Sequence, residues 1–286
     1  MKILFLFFLL IILSPLPAQA EAPACEDGSG CIPPNSWQVG LALGLGGRTN
    51  PLVDGDAIPY ILLPDIAWYG EAAYFDNGEL GYQFIPTDTF SIELFVAPNA
   101  EKANFSFWHT SNILIPAASL AADAPPDSPQ EPSTTISVDD IASRNWAVDG
   151  GIRGQWYAGN QQLQLAIARD ISGVYSGFHA ALTYRYYTQW KKWQIAMSPH
   201  VSWKSAALTD YYYGIREQDT ATGELTYTGR AGLQYGVSIN GSYPLTSKWT
   251  LLTRAGFTRL HAGMTDSPIV NKDTIYSVFT GVAYRF

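Results

Sequence analysis

No apolar stretch in this chain reaches the roughly 20 residues that a helix needs to cross a bilayer. The longest, residues 3–13, stops at Ser14-Pro15. Charge is also scarce, at 15% of residues, while 47% are hydrophobic and 14% aromatic, and the mean hydropathy is −0.02. A soluble protein would place more charge on its surface. Cations are the rarer sign: 17 Lys and Arg stand against 25 Asp and Glu, a formal net charge of −8. That balance excludes nucleic acid as a partner. Cysteine is limited to Cys25 and Cys31, and there are four histidines, at 109, 179, 200 and 261. A zinc-type site at the cysteines would need two further ligands, and none lie nearby. A redox pair would have the usual two-residue spacer, which this pair lacks. In an exported chain the simplest reading is one disulfide, Cys25 to Cys31, closing a small loop.

What is present points to export. Lys2, the apolar run and Ala18-Gln19-Ala20 before Glu21 form a signal peptide with a small-x-small site, cleaved between Ala20 and Glu21. Residues 21–36 then read as a periplasmic leader. The far end is a strand. In residues 274–286, Tyr276, Val278, Thr280, Val282, Tyr284 and Phe286 share one face. Ser277, Gly281, Ala283 and Arg285 share the other, with Phe279 as the exception. A strand ending in phenylalanine in an exported protein closes a membrane barrel, so Tyr284 and Phe286 are expected to form the assembly signal.

Period-two alternation recurs along the chain. Val39, Leu41, Leu43 and Leu45 oppose Gly40, Ala42, Gly44 and Gly46, small residues expected to face a lumen. Phe178, Ala180, Leu182, Tyr184 and Tyr186 oppose His179, Ala181, Thr183 and Arg185. Similar runs occur at 161–170, 192–204 and 229–243, about ten residues or longer, the length that crosses a bilayer as a tilted strand. Trp193 and Trp203 stand near the two ends of one run, where aromatic girdles lie. Twelve strands are expected: 37–46, 58–68, 71–76, 79–84, 89–98, 145–157, 161–170, 176–187, 192–204, 229–243, 248–260 and 274–286. An even count puts both ends of residues 37–286 in the periplasm. Short turns then fall on that side, and 47–57, 99–144, 205–228 and 261–273 on the other. The fold class is an all-β, transmembrane, antiparallel up-and-down barrel in the outer membrane of a Gram-negative bacterium.

Chemistry is sparse. Glu93, His179, Arg185, His200, Arg254 and Arg285 fall on the inward face. They read either as a mixed-charge network filling a narrow lumen or as the basic wall of a selective channel. His109 with Ser111 and Asn112 is a local cluster without the geometry of a triad. Gly40, Gly44, Gly46 and Gly47 lack the Lys-Ser/Thr ending of a phosphate loop. No catalytic, cofactor or metal residues are assigned. Residues 116–140, acidic and rich in Pro, Ala and Ser, read as a solvated loop. A divalent-ion or adhesive role is the other reading. Asp210-Tyr211-Tyr212-Tyr213-Gly214 is placed in a loop, because a strand there would break the parity.

Asp54-Gly55-Asp56, Tyr211-Tyr212-Tyr213-Gly214-Ile215, the segment Tyr243-Pro244-Leu245-Thr246-Ser247-Lys248-Trp249, and Asp266-Ser267-Pro268-Ile269-Val270 before the last strand together resemble the MipA/OmpV family of outer-membrane proteins. The likeness runs over residues 37–286. It departs at 50–56, where the family's Tyr-x-Gly-Ser-Asp is absent. The resemblance implies a non-enzymatic barrel that scaffolds a murein lytic transglycosylase and a murein synthase, as one member is regarded as doing. Others are linked to osmotic response or adhesion. A small-solute pore is the alternative from the residues themselves. Outer-membrane lipid and lipopolysaccharide are the surroundings implied.

Overall fold

The computed structural model describes residues 35–114, 135–219 and 225–286. The expected signal peptide, the expected Cys25–Cys31 disulfide, the expected leader up to residue 34 and most of the acidic 116–140 segment lie outside the described residues. Thirteen strands form: β1 (Ser36–Arg48), β2 (Ile58–Pro59), β3 (Leu62–Tyr69), β4 (Ala73–Asp76), β5 (Glu79–Pro86), β6 (Phe90–Pro98), β7 (Val148–Ala158), β8 (Gln161–Asp170), β9 (Phe178–Trp190), β10 (Trp193–Lys204), β11 (Gly232–Pro244), β12 (Trp249–Arg259) and β13 (Thr274–Arg285). Every neighbouring pair is antiparallel. β13 returns to β1 over nine residue pairs, from Gly40 opposite Arg285 to Arg48 opposite Ser277, and closes the sheet.

Twelve of these strands make the barrel, as the alternation requires. β2 is a two-residue extension beside the top of β1, opposite Gly47 and Arg48. The expected single strand 58–68 is broken at Tyr60 and Ile61, where the chain steps inward and buries the tyrosine ring. Elsewhere the strand ends move by a few residues, with 145–157 becoming Val148–Ala158.

The alternation sorts side chains between two solvents. Leu43, Leu45, Leu80, Phe84, Leu94, Ile152, Leu165, Ile167, Leu182, Met197, Leu233 and Ile239 point outward and are exposed. Such a belt is tolerable only against lipid hydrocarbon. Aromatic contacts mark its edges. Trp37 meets Trp68 and Phe75, Trp193 meets Tyr243, and Trp249 meets Tyr284, all at the end with the short turns. Phe178 meets Trp203 at the other. Trp193 and Trp203 thus occupy the two girdles expected of them.

Short turns link β3 to β4, β5 to β6, β7 to β8, β9 to β10 and β11 to β12 at the end carrying Ser36 and Arg285. That is the periplasmic end of an outer-membrane barrel. On the opposite side one connection is also tight. Asn77 (φ 47°) and Gly78 (φ 98°) turn β4 into β5. Both positions are left-handed, so Asn-Gly suits the hairpin. β4 is only four residues long, so the wall is low here. The Thr110–Ile113 helix fills the gap: a Cβ on Gly78 would lie 2.9 Å from the Thr110 methyl.

The remaining outer loops fold into a cap. Its apolar core joins Leu52, Ile141, Ala147, Tyr175, Leu208, Tyr212, Tyr213, Ile215, Leu260, Met264, Ile269 and Val270. These residues come from five separate connections. Tyr211–Tyr213 belong to a helix, Ala206–Tyr213, capped by the Ser205 hydroxyl. They are not a strand, and the parity is kept. Phe105 packs on Tyr212 and Tyr213, whereas Trp108 is 73% exposed. Three of the four segments that carry the sequence resemblance meet here. Val53 N–H donates to Ile269 O, and Ser267 Oγ donates to the carbonyl of Tyr213.

Candidate functional site: the lumen and its cap

Beneath the cap the lumen splits into two halves. On the β1 and β13 side it is filled by Ala42, Ile58, Tyr60, Leu63 and Phe279. Phe279 is the residue that breaks the alternation of the last strand. Its ring lies over Gly44 and Gly281, whose missing side chains leave the space it occupies. The other half holds a cavity of about 650 Å³ lined mostly by polar side chains of strands from β3 round to β13 and of the Thr110–Ile113 helix. Its walls are the inward faces that sequence parity selected. A smaller cavity of about 270 Å³ lies directly under Glu101 and Asn104 of the cap, next to Arg48 and Arg254.

The structure separates the six inward-facing residues. Glu93 is buried and accepts from Gln155, with Arg153 Nη1 at 3.6 Å. Arg153 makes a bidentate pair with Glu79, 2.7 Å to each oxygen. This is the charge-assisted fork that fixes both partners. Arg185 instead reaches the Gln162 and Gln164 side-chain oxygens at 3.1 and 3.0 Å. His200 Nε2 lies 3.3 Å from Thr258 Oγ1, and Arg254 faces the same cavity. His179 is higher in the wall, 2.9 Å from the buried Asp149. Arg285 is exposed at the periplasmic rim, beside the Lys248 turn, and takes no part in this set. Tyr284 meets Trp249 at a tilt and Phe286 edge-on at that rim.

Sequence reasoning missed Arg153, Glu79 and the cap's own ion pair. Arg153 shares the face of Asp149 and Gln155, so parity alone would have found it; the glycines around it obscured the alternation. Glu101 and Lys204 are 103 residues apart, and no local pattern links them. In the structure Lys204, the last residue of β10, donates to Glu101 in the cap. Tyr213 OH donates to the other Glu101 oxygen at 2.6 Å, Asn104 donates to Tyr213 OH at 2.7 Å, and Arg48 Nη2 donates to Asn104 at 2.6 Å. One buried chain therefore ties β1, a loop, a helix and β10. Burial alone would raise the Glu101 carboxyl, but Lys204 and the Tyr213 hydroxyl hold it below the usual range. The same burial and the adjacent carboxylate push the Tyr213 phenol far up. Arg144 locks the far side, donating to the carbonyls of Tyr212 and Gly214.

His109 is fully buried and stacked on Trp146, with ring centroids 5.1 Å apart. Its Nδ1 accepts the Ser111 backbone N–H, so it serves as a helix cap. Burial pushes His109 and His261 down to about 4. Both rings are neutral in the folded cap, while in the unfolded chain they titrate near 6.5. Between those values the unfolded state binds protons that the cap does not, so stability falls as pH drops from about 6.5 to about 4. Glu101 acts in the same direction, since its contribution disappears as it becomes protonated. Hydrogen exchange at residues 206–213, corrected for intrinsic pH dependence, is expected to be faster at pH 5 than at pH 7.5, with the strands unchanged. Equal protection at both pH values would count against this.

Comparison with known proteins supplies the context. The sequence model of the family described as "MltA-interacting protein MipA" matches residues 39–286. Outer membrane protein OmpV of Vibrio cholerae is 21% identical over 278 residues, covering 97% of this chain and 98% of that protein. Omp26La of Vibrio anguillarum is 22% identical over 150 residues, 52% of this chain, and the match spans 58% of that protein's length. The MltA-interacting protein of Escherichia coli is 31% identical over 87 residues, 30% of this chain and 35% of that one. Among solved structures, the toluene transporter TodX of Pseudomonas putida covers 88% of this chain and 90% of its own, at 11% identity and a TM-score of 0.35.

Proposed function

The chain belongs to the MipA family of outer-membrane barrels, and from that membership we propose that it is a non-enzymatic scaffold for the machinery that synthesises and remodels murein. One observation carries the reading: the outward mouth carries a cap with its own apolar core and buried ion pair. A general pore would leave that mouth open. A barrel capped outward presents its partners with the periplasmic rim, where the turns carry Lys191, Lys192 and Lys248 and the end of β13 carries Arg285. A relative that bears the name MltA-interacting protein supports this partner class; the partners proposed are a lytic transglycosylase and a murein synthase. His109 is buried, and its Nδ1 caps the Thr110–Ile113 helix.

Crosslinking pull-down from intact envelopes tests the scaffold. A tag in the 116–134 segment should recover murein hydrolases or synthases above an unrelated-barrel control, and replacing Lys191, Lys192 and Lys248 by glutamate should reduce that recovery. No recovery, with crosslinking verified on lipopolysaccharide, overturns the scaffold. In planar bilayers the wild-type barrel should then be silent; steady conductance would favour the small-solute pore.

A further inference from the structure

The lumen holds cations that no carboxylate answers. Arg153 is met twice, by Glu79 and Glu93. Arg185 on β9 and Arg254 on β12 have no carboxylate within 4 Å among the described residues. The Nε atom of each is buried without an acceptor. Two glutamine oxygens hold the Arg185 head group but neutralise nothing. Nearby, the buried Ser198 hydroxyl also lacks a partner, and His200 lies 3.3 Å from the Thr258 hydroxyl. All four residues line the same cavity of about 650 Å³. Cavities of this size hold small organic ligands.

An ionised group removed from bulk water is normally given a counter-charge. Here the protein supplies one for Arg153 and withholds it from Arg185 and Arg254. Guanidinium is the group suited to forked pairing with carboxylate or phosphate. We propose that this cavity binds a small organic anion, its carboxylate or phosphate groups held by Arg185 and Arg254. Ser198 and His200 contribute hydrogen bonds to the anion or to hydroxyl groups beside it. The polar wall, with Gln155, Gln164 and Thr183, fits a hydroxylated body better than a hydrocarbon one. The site does not rest on the scaffold reading: a barrel can hold a ligand under its cap whichever partner it meets below.

The test uses the full-length barrel in a nonionic maltoside detergent, with inorganic phosphate and citrate as separate probes. Calorimetric titration should detect binding of at least one, and the two arms distinguish phosphate from carboxylate recognition. R185Q and R254Q should each weaken that binding about tenfold, the scale of one lost charge-assisted contact, and R254K should retain part of it. R230Q, which alters an exposed pair with Asp266 on the outer rim, should bind as the wild type does. Thermal unfolding separates a binding role from a structural one. Without ligand, R254Q should melt no lower than the wild type, and it should lose the upward shift that the probe gives. If R254Q does not assemble, R254K and R185Q carry the same comparison. The proposal is overturned if neither probe binds up to about 10 mM, where a Kd near 1 mM still registers. It is equally overturned if binding survives in R185Q undiminished.

Discussion

Lys204→Ala is expected to unlatch the cap while leaving the barrel closed. Lys204 and Glu101 are both buried, at 6% and 8% exposure, and the Glu101 carboxylate is otherwise held by the Tyr213 hydroxyl. Truncating the lysine strands a carboxylate away from water. The cost of breaking such a pair is about 3–5 kcal/mol, enough to populate an open cap many-fold more often. The β10 backbone is unaffected, because Lys204 is the last residue of its strand and its inter-strand bonds remain. Hydrogen exchange should therefore rise at residues 206–213 and 260–270, while the heat-dependent gel shift of a folded barrel persists. In planar bilayers, openings should appear where the wild type is silent. Lys204→Met with Glu101→Met removes both charges, and most of the loss should return, since apolar replacement of a buried pair is often neutral. Additive effects of the two changes would mean that the pair is not the latch.

How much of this was legible beforehand follows from the physics of each part. The wall was readable because lipid enforces period two on every strand, so Leu43, Leu45, Leu182 and Ile239 announce their face locally. The parity of short and long connections then fixed the count. The break at Tyr60–Ile61 was not readable, since Ile58 to Trp68 looks continuous until Tyr60 is seen turned inward. The cap was hidden for another reason. Leu52, Tyr212, Met264 and Ile269 are brought together by closure of the barrel, and no local periodicity records a core assembled from five loops. The acidic composition of 116–140 suggested a solvated loop, with a divalent-ion or adhesive role as the other reading, and gave no sign that Val138 N–H would bond Val53 O or that Ile136 would pack on the cap. Parity found the inward cations Arg185 and Arg254 but not Arg153, and it did not tell which of them are paired. Pairing depends on the stagger between strands, which sets Arg153 opposite Glu93 and leaves Arg185 opposite Gln162.

The seam between β1 and β13 gives the other large expected effect, and Phe279 explains why. A lone aromatic on the small-residue face of the terminal strand needs a place with no competing side chain. Gly44 supplies it: a Cβ there would lie 2.3 Å from the Thr280 carbonyl oxygen, 2.6 Å from the Gly281 Cα and 2.7 Å from the Phe279 ring. Two of those three neighbours are backbone and cannot swing aside, so Gly44→Val must push the strands apart where the barrel closes. The loss should exceed the roughly 1–3 kcal/mol of ordinary overpacking and appear as failed closure, with the gel-shifted folded form nearly absent after refolding into detergent. Phe279→Ala makes the complementary error. It empties a fully buried site against Tyr60, Leu63 and Leu252, costing about 3–5 kcal/mol, but leaves the backbone seam intact. That barrel should close and unfold at lower urea concentration, followed by tryptophan fluorescence. Combining the two separates ring from backbone. If the ring were the main obstacle, Phe279→Ala would rescue Gly44→Val. Because the 2.3 Å approach to Thr280 O remains, the double variant should still fail to close, and a folded double variant would show that the glycine is there for the ring alone.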